Sequence, residues 1–127
     1  MHYNFNKQFA DDVESGKKRQ TIRKKGKRRP PNVGEHLQLY TGMRTKVCRL
    51  LSREICKGIS EIIIIPRNKL VSFYSSSLGY FIMLNTYSPE LTLLVEKDGF
   101  KSIDHFFEWF EKEVDESGLF VGHLIEW

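Results

Sequence analysis

Lys18 and Thr21 are two side chains whose types could do chemistry together. They lie three apart in the stretch Gly16-Lys17-Lys18-Arg19-Gln20-Thr21-Ile22-Arg23. Residues three apart in an ideal strand point to opposite faces. Lys18, however, sits close to a glycine turn, and its long stem can curl over the strand toward the hydroxyl. A lysine serves as general base only when burial or a cationic neighbour lowers its pKa. Lys17, Arg19 and Arg23 supply that positive charge. A deprotonated Lys18 could then activate Thr21 for acyl transfer. Asp98, beside Gly99 at an expected helix end, is the third candidate. A short carboxylate there could point into a cleft, where it would hold a protonated lysine or handle a proton. Each residue also has a plainer role: Thr21 as a β-former, Lys18 as a phosphate contact, Asp98 as a helix cap. Spacing alone favours the plainer roles.

The pair is embedded in a basic segment. Nine of the thirteen residues from Lys17 to Arg29 are Lys or Arg, and none is acidic. A polyanion is the expected partner. The candidate nucleic-acid contacts are Lys17, Arg19, Arg23, Lys24, Lys25, Lys27, Arg28 and Arg29. Each phosphate they neutralise releases counterions, so binding should fall steeply with salt. Tyr40, Phe73, Tyr74, Tyr80, Phe81 and Tyr87 could offer faces to unpaired bases, although most are expected in the core.

The formal net charge of +4 hides a polarity along the chain. Residues 1–57 carry 15 basic and 5 acidic side chains, whereas residues 96–127 carry 3 basic and 9 acidic ones. One cationic face and an acidic C-terminal surface are therefore expected. Cys48 and Cys56 form no Cys-x-x-Cys pair, and the four histidines are scattered, so neither a zinc site nor a cofactor is expected. Cys48 reads as a buried small hydrophobe beside Val47 and Leu50. The longest apolar run, isoleucines 62–65, is far too short to span a membrane. With no signal peptide at residues 1–6, a cytoplasmic protein with reduced thiols is expected.

The elements that must position these residues can be read in turn. Residues 8–15 predict a short amphipathic helix with Phe9 and Val13 on one face, ended by Gly16. Its acidic residues could hold the neighbouring lysines. Residues 19–23 predict a strand, and residues 24–34 a basic loop containing Pro and Gly. Further strands are expected at residues 37–40, 45–52, 61–65, 70–74 and 79–85, with Ser75-Ser76-Ser77 closing a hairpin. The four isoleucines suggest a strand buried on both faces. Ser88-Pro89-Glu90 predicts a helix start, and Asp98-Gly99 its stop. Ser102 caps a second helix with a stripe of Ile103, Phe106, Phe107 and Phe110, and residues 119–127 close the chain as a strand. Trp109 and Trp127 read as packing residues. The pattern is one α+β domain over residues 1–127, most simply a small barrel with flanking helices.

This succession of motifs resembles the ASCH domain, a family related to the PUA domains of RNA-modifying proteins. The resemblance rests on Gly-Lys-Lys-x-x-Thr-Ile-Arg, on Pro30 to Gly34, on the Leu-x-Leu-Tyr strand, and on Asp98-Gly99-Phe100 with Ser102, Phe106, Trp109 and Phe110. Residues 66–87 match least. The resemblance implies a mixed β-barrel with a cationic cleft and recognition of RNA or a nucleobase. Some relatives remove the acetyl group from N4-acetylcytidine with a lysine, a threonine and a glutamate, and at least one has been reported to cleave RNA. Carried over, these roles fall on Lys18, Thr21 and Asp98 or Glu96, with Arg23 as a cleft arginine. The leading expectation is an RNA-binding domain that hydrolyses RNA or a modified base. The alternatives are an amidohydrolase acting on N4-acetylcytidine as a nucleoside, and a non-catalytic module whose acidic C-terminal helix binds a protein through Glu108, Glu111 and Glu113.

Overall fold

The computed structural model describes residues 1–75 and 78–127. Among these residues the chain order is β1 (His2–Phe5), α1 (Lys7–Glu14), β2 (Gln20–Lys24), β3 (His36–Thr41), β4 (Arg49–Ile55), β5 (Gly58–Ile65), β6 (Leu70–Ser75), β7 (Tyr80–Leu84), α2 (Pro89–Lys97), α3 (Ile103–Glu111) and β8 (Phe120–Glu126). The strands divide into a three-stranded sheet ordered β1-β3-β4 and a five-stranded sheet ordered β2-β8-β5-β6-β7. The α+β class is as expected. The expected closed barrel is not detected, because no ladder among the described residues joins the two sheets.

Capping and burial explain the helix bordering the basic segment. Asn6 Oδ1 accepts from the Gln8 amide at 3.1 Å, which satisfies one of the free donors of the first turn of α1. Phe9, Ala10 and Val13 then face the core. Gly16 ends the helix with a φ of +82°, a conformation that costs glycine nothing. The Lys18 amide returns to the Asp12 carbonyl at 2.9 Å. That bond turns the chain so that Lys18 points inward while Lys17 and Arg19 point out.

β8 ties the larger sheet together, pairing with β2 on one side and β5 on the other, both antiparallel. A side chain at Gly122 would put its Cβ 2.2 Å from the Arg23 carbonyl, so only glycine lets β2 lie this close. Beneath the sheet, α3 contributes Phe106, Phe107 and Phe110 to a cluster of rings. Phe106 and Phe110 lie 4.9 Å apart, and Phe110 and Phe120 lie 4.8 Å apart. Burying one such ring fully is worth about 1.5–3 kcal/mol.

Several expectations are corrected. No strand is expected over residues 1–6, yet β1 pairs in parallel with β3, Tyr3 opposite Leu39. The strand expected at residues 45–52 begins only at Arg49. Thr45 turns its hydroxyl onto the Gly42 carbonyl at 2.6 Å and accepts from the Val47 amide at 3.2 Å, which makes a local turn instead. Cys48 is consequently exposed rather than buried, while Cys56 is buried. Ile62 and Ile64 are fully buried, but Ile63 and Ile65 are only half-covered. β6 and β7 pair antiparallel as expected; Ser76 and Ser77 of the expected turn lie outside the described residues. Trp127 is buried and Trp109 half-buried, both packed against rings. Among the described residues no helix is long and apolar enough to cross a membrane.

Candidate functional site

A cleft of about 400 Å³ opens where β1, β2, β8 and α3 meet the C-terminal end of α2. Lys18, Thr21 and Asp98 all line it. Each is polar and yet no more than 5% exposed. Burying such groups costs free energy unless each is partnered.

The partners are specific. Lys18 Nζ lies 3.1 Å from Asp98 Oδ1 and also donates to the backbone carbonyl of Asp98. Its charge rests 5.0 Å from the Phe9 ring. Gln20 Nε2 donates to the same Asp98 oxygen at 3.3 Å and to the Leu94 carbonyl at 3.4 Å. Asp98 is the residue that ends α2, so its capping role and its pairing role coincide. Thr21 Oγ1 accepts from Arg23 Nε at 3.0 Å. Arg23 in turn donates to the Asn4 carbonyl at 2.9 Å and lies over the Phe5 ring at 4.8 Å. Lys18 is therefore held by Asp98, and Thr21 by Arg23.

Burial works against the charge on both members of the ion pair. It pushes the Lys18 ammonium below its ordinary value, against the pull of the Asp98 carboxylate. It lifts the Asp98 carboxyl above its ordinary value, against the pull of Lys18. Each shift runs toward the uncharged form of its own group, and the attraction within the pair opposes both. Burial also lowers Arg23. It raises the Tyr3 phenol, against the nearby Arg28 and Arg23.

The basic segment divides in two. Arg23, Lys24, Arg28 and Arg29 line the cleft. Arg28 donates to the His2 carbonyl and lies 4.7 Å from the Tyr3 ring. Arg29 grips both carboxylate oxygens of Glu35, at 2.9 and 3.2 Å. That grip, reinforced by the Asn32 amide, pulls the Glu35 carboxyl down to about 2. Lys25 and Lys27 are exposed outside the cleft. Lys17 and Arg19 also lie outside it; Arg19 donates to the Trp127 carbonyl at 3.1 Å and approaches Glu54 at 3.6 Å. Among the described residues α1 makes no ion pair with a lysine of the basic segment, since Glu14 pairs with Arg49, while the charge of Asp12 favours the Lys18 ammonium.

Other expectations shift as well. Glu96 is exposed and Asp98 buried, so the aspartate is the acid in the cleft. Glu108 and Glu111 are exposed on α3, while Glu113 lines the cleft. The six ring residues considered for stacking are mostly not in the core: Tyr74, Tyr80, Phe81 and Tyr87 are exposed, and Tyr40 and Phe73 half-buried. Sequence reasoning missed Tyr3, Asn4 and Phe5 in the cleft wall, and also Gln20 and His123. The alternation of His2-Tyr3-Asn4-Phe5 is the signal that could have exposed the first three. Among the described residues no group of three His, Cys, Asp or Glu could hold a metal ion.

Comparison with models of known families, with characterised proteins and with solved structures finds no match to this chain.

Proposed function

We propose that this chain is an ASCH-type domain, its two sheets a version of the PUA-like barrel, that binds RNA along its basic rim and removes an acyl group from a modified base in the cleft. The observation that carries this reading is the convergence of Lys18, Thr21, Arg23 and Asp98 on one polar cleft, three of them buried. Aromatic walls at Tyr3, Phe5 and Trp109 suit a planar base, and the rim cations suit the phosphates beside it.

In the reaction, substrate entry draws Lys18 Nζ away from Asp98, and the proton shared between them passes to the carboxyl, leaving the amine neutral. The neutral amine takes the Thr21 proton as Oγ1 attacks the acyl carbon. Arg23 Nε, already donating to Oγ1, stabilises charge on that oxygen. The C–N bond breaks, the base amine leaves with the proton from Lys18, and the acyl group rests on Thr21. Water then attacks the ester with Lys18 again as base, which releases the carboxylic acid and restores the hydroxyl.

The decisive experiment incubates an RNA containing N4-acetylcytidine with the protein and follows both acetate loss and strand length by mass spectrometry. Deacetylation without chain shortening is expected. Shortening alone would replace the acyl reading with ribonuclease activity, and an unchanged RNA would leave no catalytic role for the cleft.

The rim makes a separate prediction. Among the described residues Lys24, Lys25 and Lys27 form no ion pair, unlike Arg29, and all three are exposed. Replacing these three by Ala should reduce the slope of log affinity against log salt by about one for each phosphate they neutralise. Titrations at several salt concentrations check it.

A further inference from the structure

β7 is the terminal strand of the five-stranded sheet, and among the described residues it pairs with β6 alone. Its far edge is open. Natural edges are ordinarily blunted by charge, proline or a bulge. This one has none of them: Tyr80-Phe81-Ile82-Met83-Leu84 contains no charged residue or proline, and its register against β6 is regular. The whole stretch between Lys69 and Glu90 is uncharged, in a chain that is 28% charged. Apolar groups are exposed here too: Tyr80 is 58% exposed, Phe81 44% and Met83 56%. Tyr74 stacks edge-on against Phe81 at 5.5 Å on the same face, extending the patch across β6.

We propose that β7 is a dimerisation edge whose occupant is β7 of a second copy of this chain, joined antiparallel about a two-fold axis at Ile82. Two features of the molecule select that occupant. An uncharged strand offers a charged partner nothing to match, but it is complementary to itself, as an isologous contact requires. Charge placement also permits it. β2, which carries the cationic cleft, lies at the opposite end of the sheet order from β7. Joining two copies through β7 therefore keeps the two basic segments at the far ends of one continuous ten-stranded sheet.

Full overlap of the five-residue strand places Ile82 opposite Ile82 of the second copy. Phe81 then faces Met83 of the second copy on one side of the sheet, and Tyr80 faces Leu84 on the other. The Phe–Met pairs bring sulfur against aromatic rings, a favourable contact, and the strands supply main-chain hydrogen bonds to each other.

The test is sedimentation of the wild-type chain and of Phe81→Lys and Met83→Glu, from low micromolar to the highest soluble concentration. Both positions are exposed, so thermal melts at a concentration where all three chains are monomeric should match. Wild type should sediment as a dimer. Each variant alone should dissociate about a hundredfold more readily, the scale of an unpaired charge in an interface. An equimolar mixture of the two variants should recover the dimer, because the register sets the introduced lysine of one chain against the introduced glutamate of the other. A wild-type monomer throughout, dimers that persist in both variants, or a mixture that stays monomeric would each overturn the proposal. A monomer whose RNA affinity falls in Phe81→Lys would assign the patch to base stacking instead.

Discussion

Asp98→Leu should lower the stability of the fold by about 3–5 kcal/mol, because it leaves the Lys18 amine buried without its carboxylate. Lys18→Met should also destabilise, leaving Asp98 with Gln20 as its remaining side-chain partner. The double variant, Lys18→Met with Asp98→Leu, should regain most of that stability, since two apolar groups of similar volume require no partners. Urea denaturation of the four proteins gives the coupling directly.

The pH dependence separates this account from a simple packing defect. In Asp98→Leu the folded chain holds Lys18 below its unfolded value, so the unfolded chain binds more protons. Stability then rises with pH toward about 10.5, where the unfolded lysine loses its proton. In Lys18→Met the folded chain holds Asp98 above its unfolded value, so the folded chain binds more protons. Stability then rises as pH falls toward about 3.8. Opposite slopes in the two single variants are expected. Parallel curves would mean that burial does not penalise the two charges as described.

The second large effect concerns turnover on the acetylated RNA. Thr21→Val preserves the branched shape at a buried strand position but removes the hydroxyl. It should reduce the rate by roughly a thousandfold or more, while stability falls by only about 1–3 kcal/mol as Arg23 Nε loses its acceptor. Thr21→Ser keeps an oxygen for Arg23 Nε to donate to and should retain activity to within about tenfold. If Thr21→Val turned over at the wild-type rate, the attacking oxygen would have to be water, with Lys18 acting on it alone. Trapping of an acylated peptide containing Thr21, sought by mass spectrometry after rapid quenching, distinguishes the two routes.

Much of the positioning is legible in the sequence because it is local. Gly16, Ser102, Pro89 and Asp98-Gly99 punctuate helices by backbone chemistry that depends on neighbours alone. The charge of the basic segment is equally plain, but its division is not. Which of nine cations face inward depends on where β2 begins and on the close approach of β8 at Gly122, and neither is visible in composition. The same limit hides Gln20, whose amide is committed to Asp98 across 78 positions. β1 escapes a sequence reading because four residues of mixed polarity carry little periodicity, and its parallel partner lies beyond the basic loop. The misplacement of Cys48 arises differently. An apolar-looking run reads as a strand, while the Thr45 hydroxyl, which closes a turn, reads only as a β-former.

The arrangement of β2 against β8 has a consequence for the order in which the molecule comes into being. Arg19 and Trp127, joined by a hydrogen bond, are 108 positions apart, and Lys18 and Asp98 are 80 apart. Synthesis at roughly 5–20 residues per second makes the basic segment several seconds before β8 exists. During that interval Lys18, Gln20 and Thr21 have no interior to enter, and the nine cations lie on an open chain next to the ribosome's own RNA. The growing chain thus has its affinity for polyanions before it has a cleft, and a fragment ending before β8 would keep the first without acquiring the second.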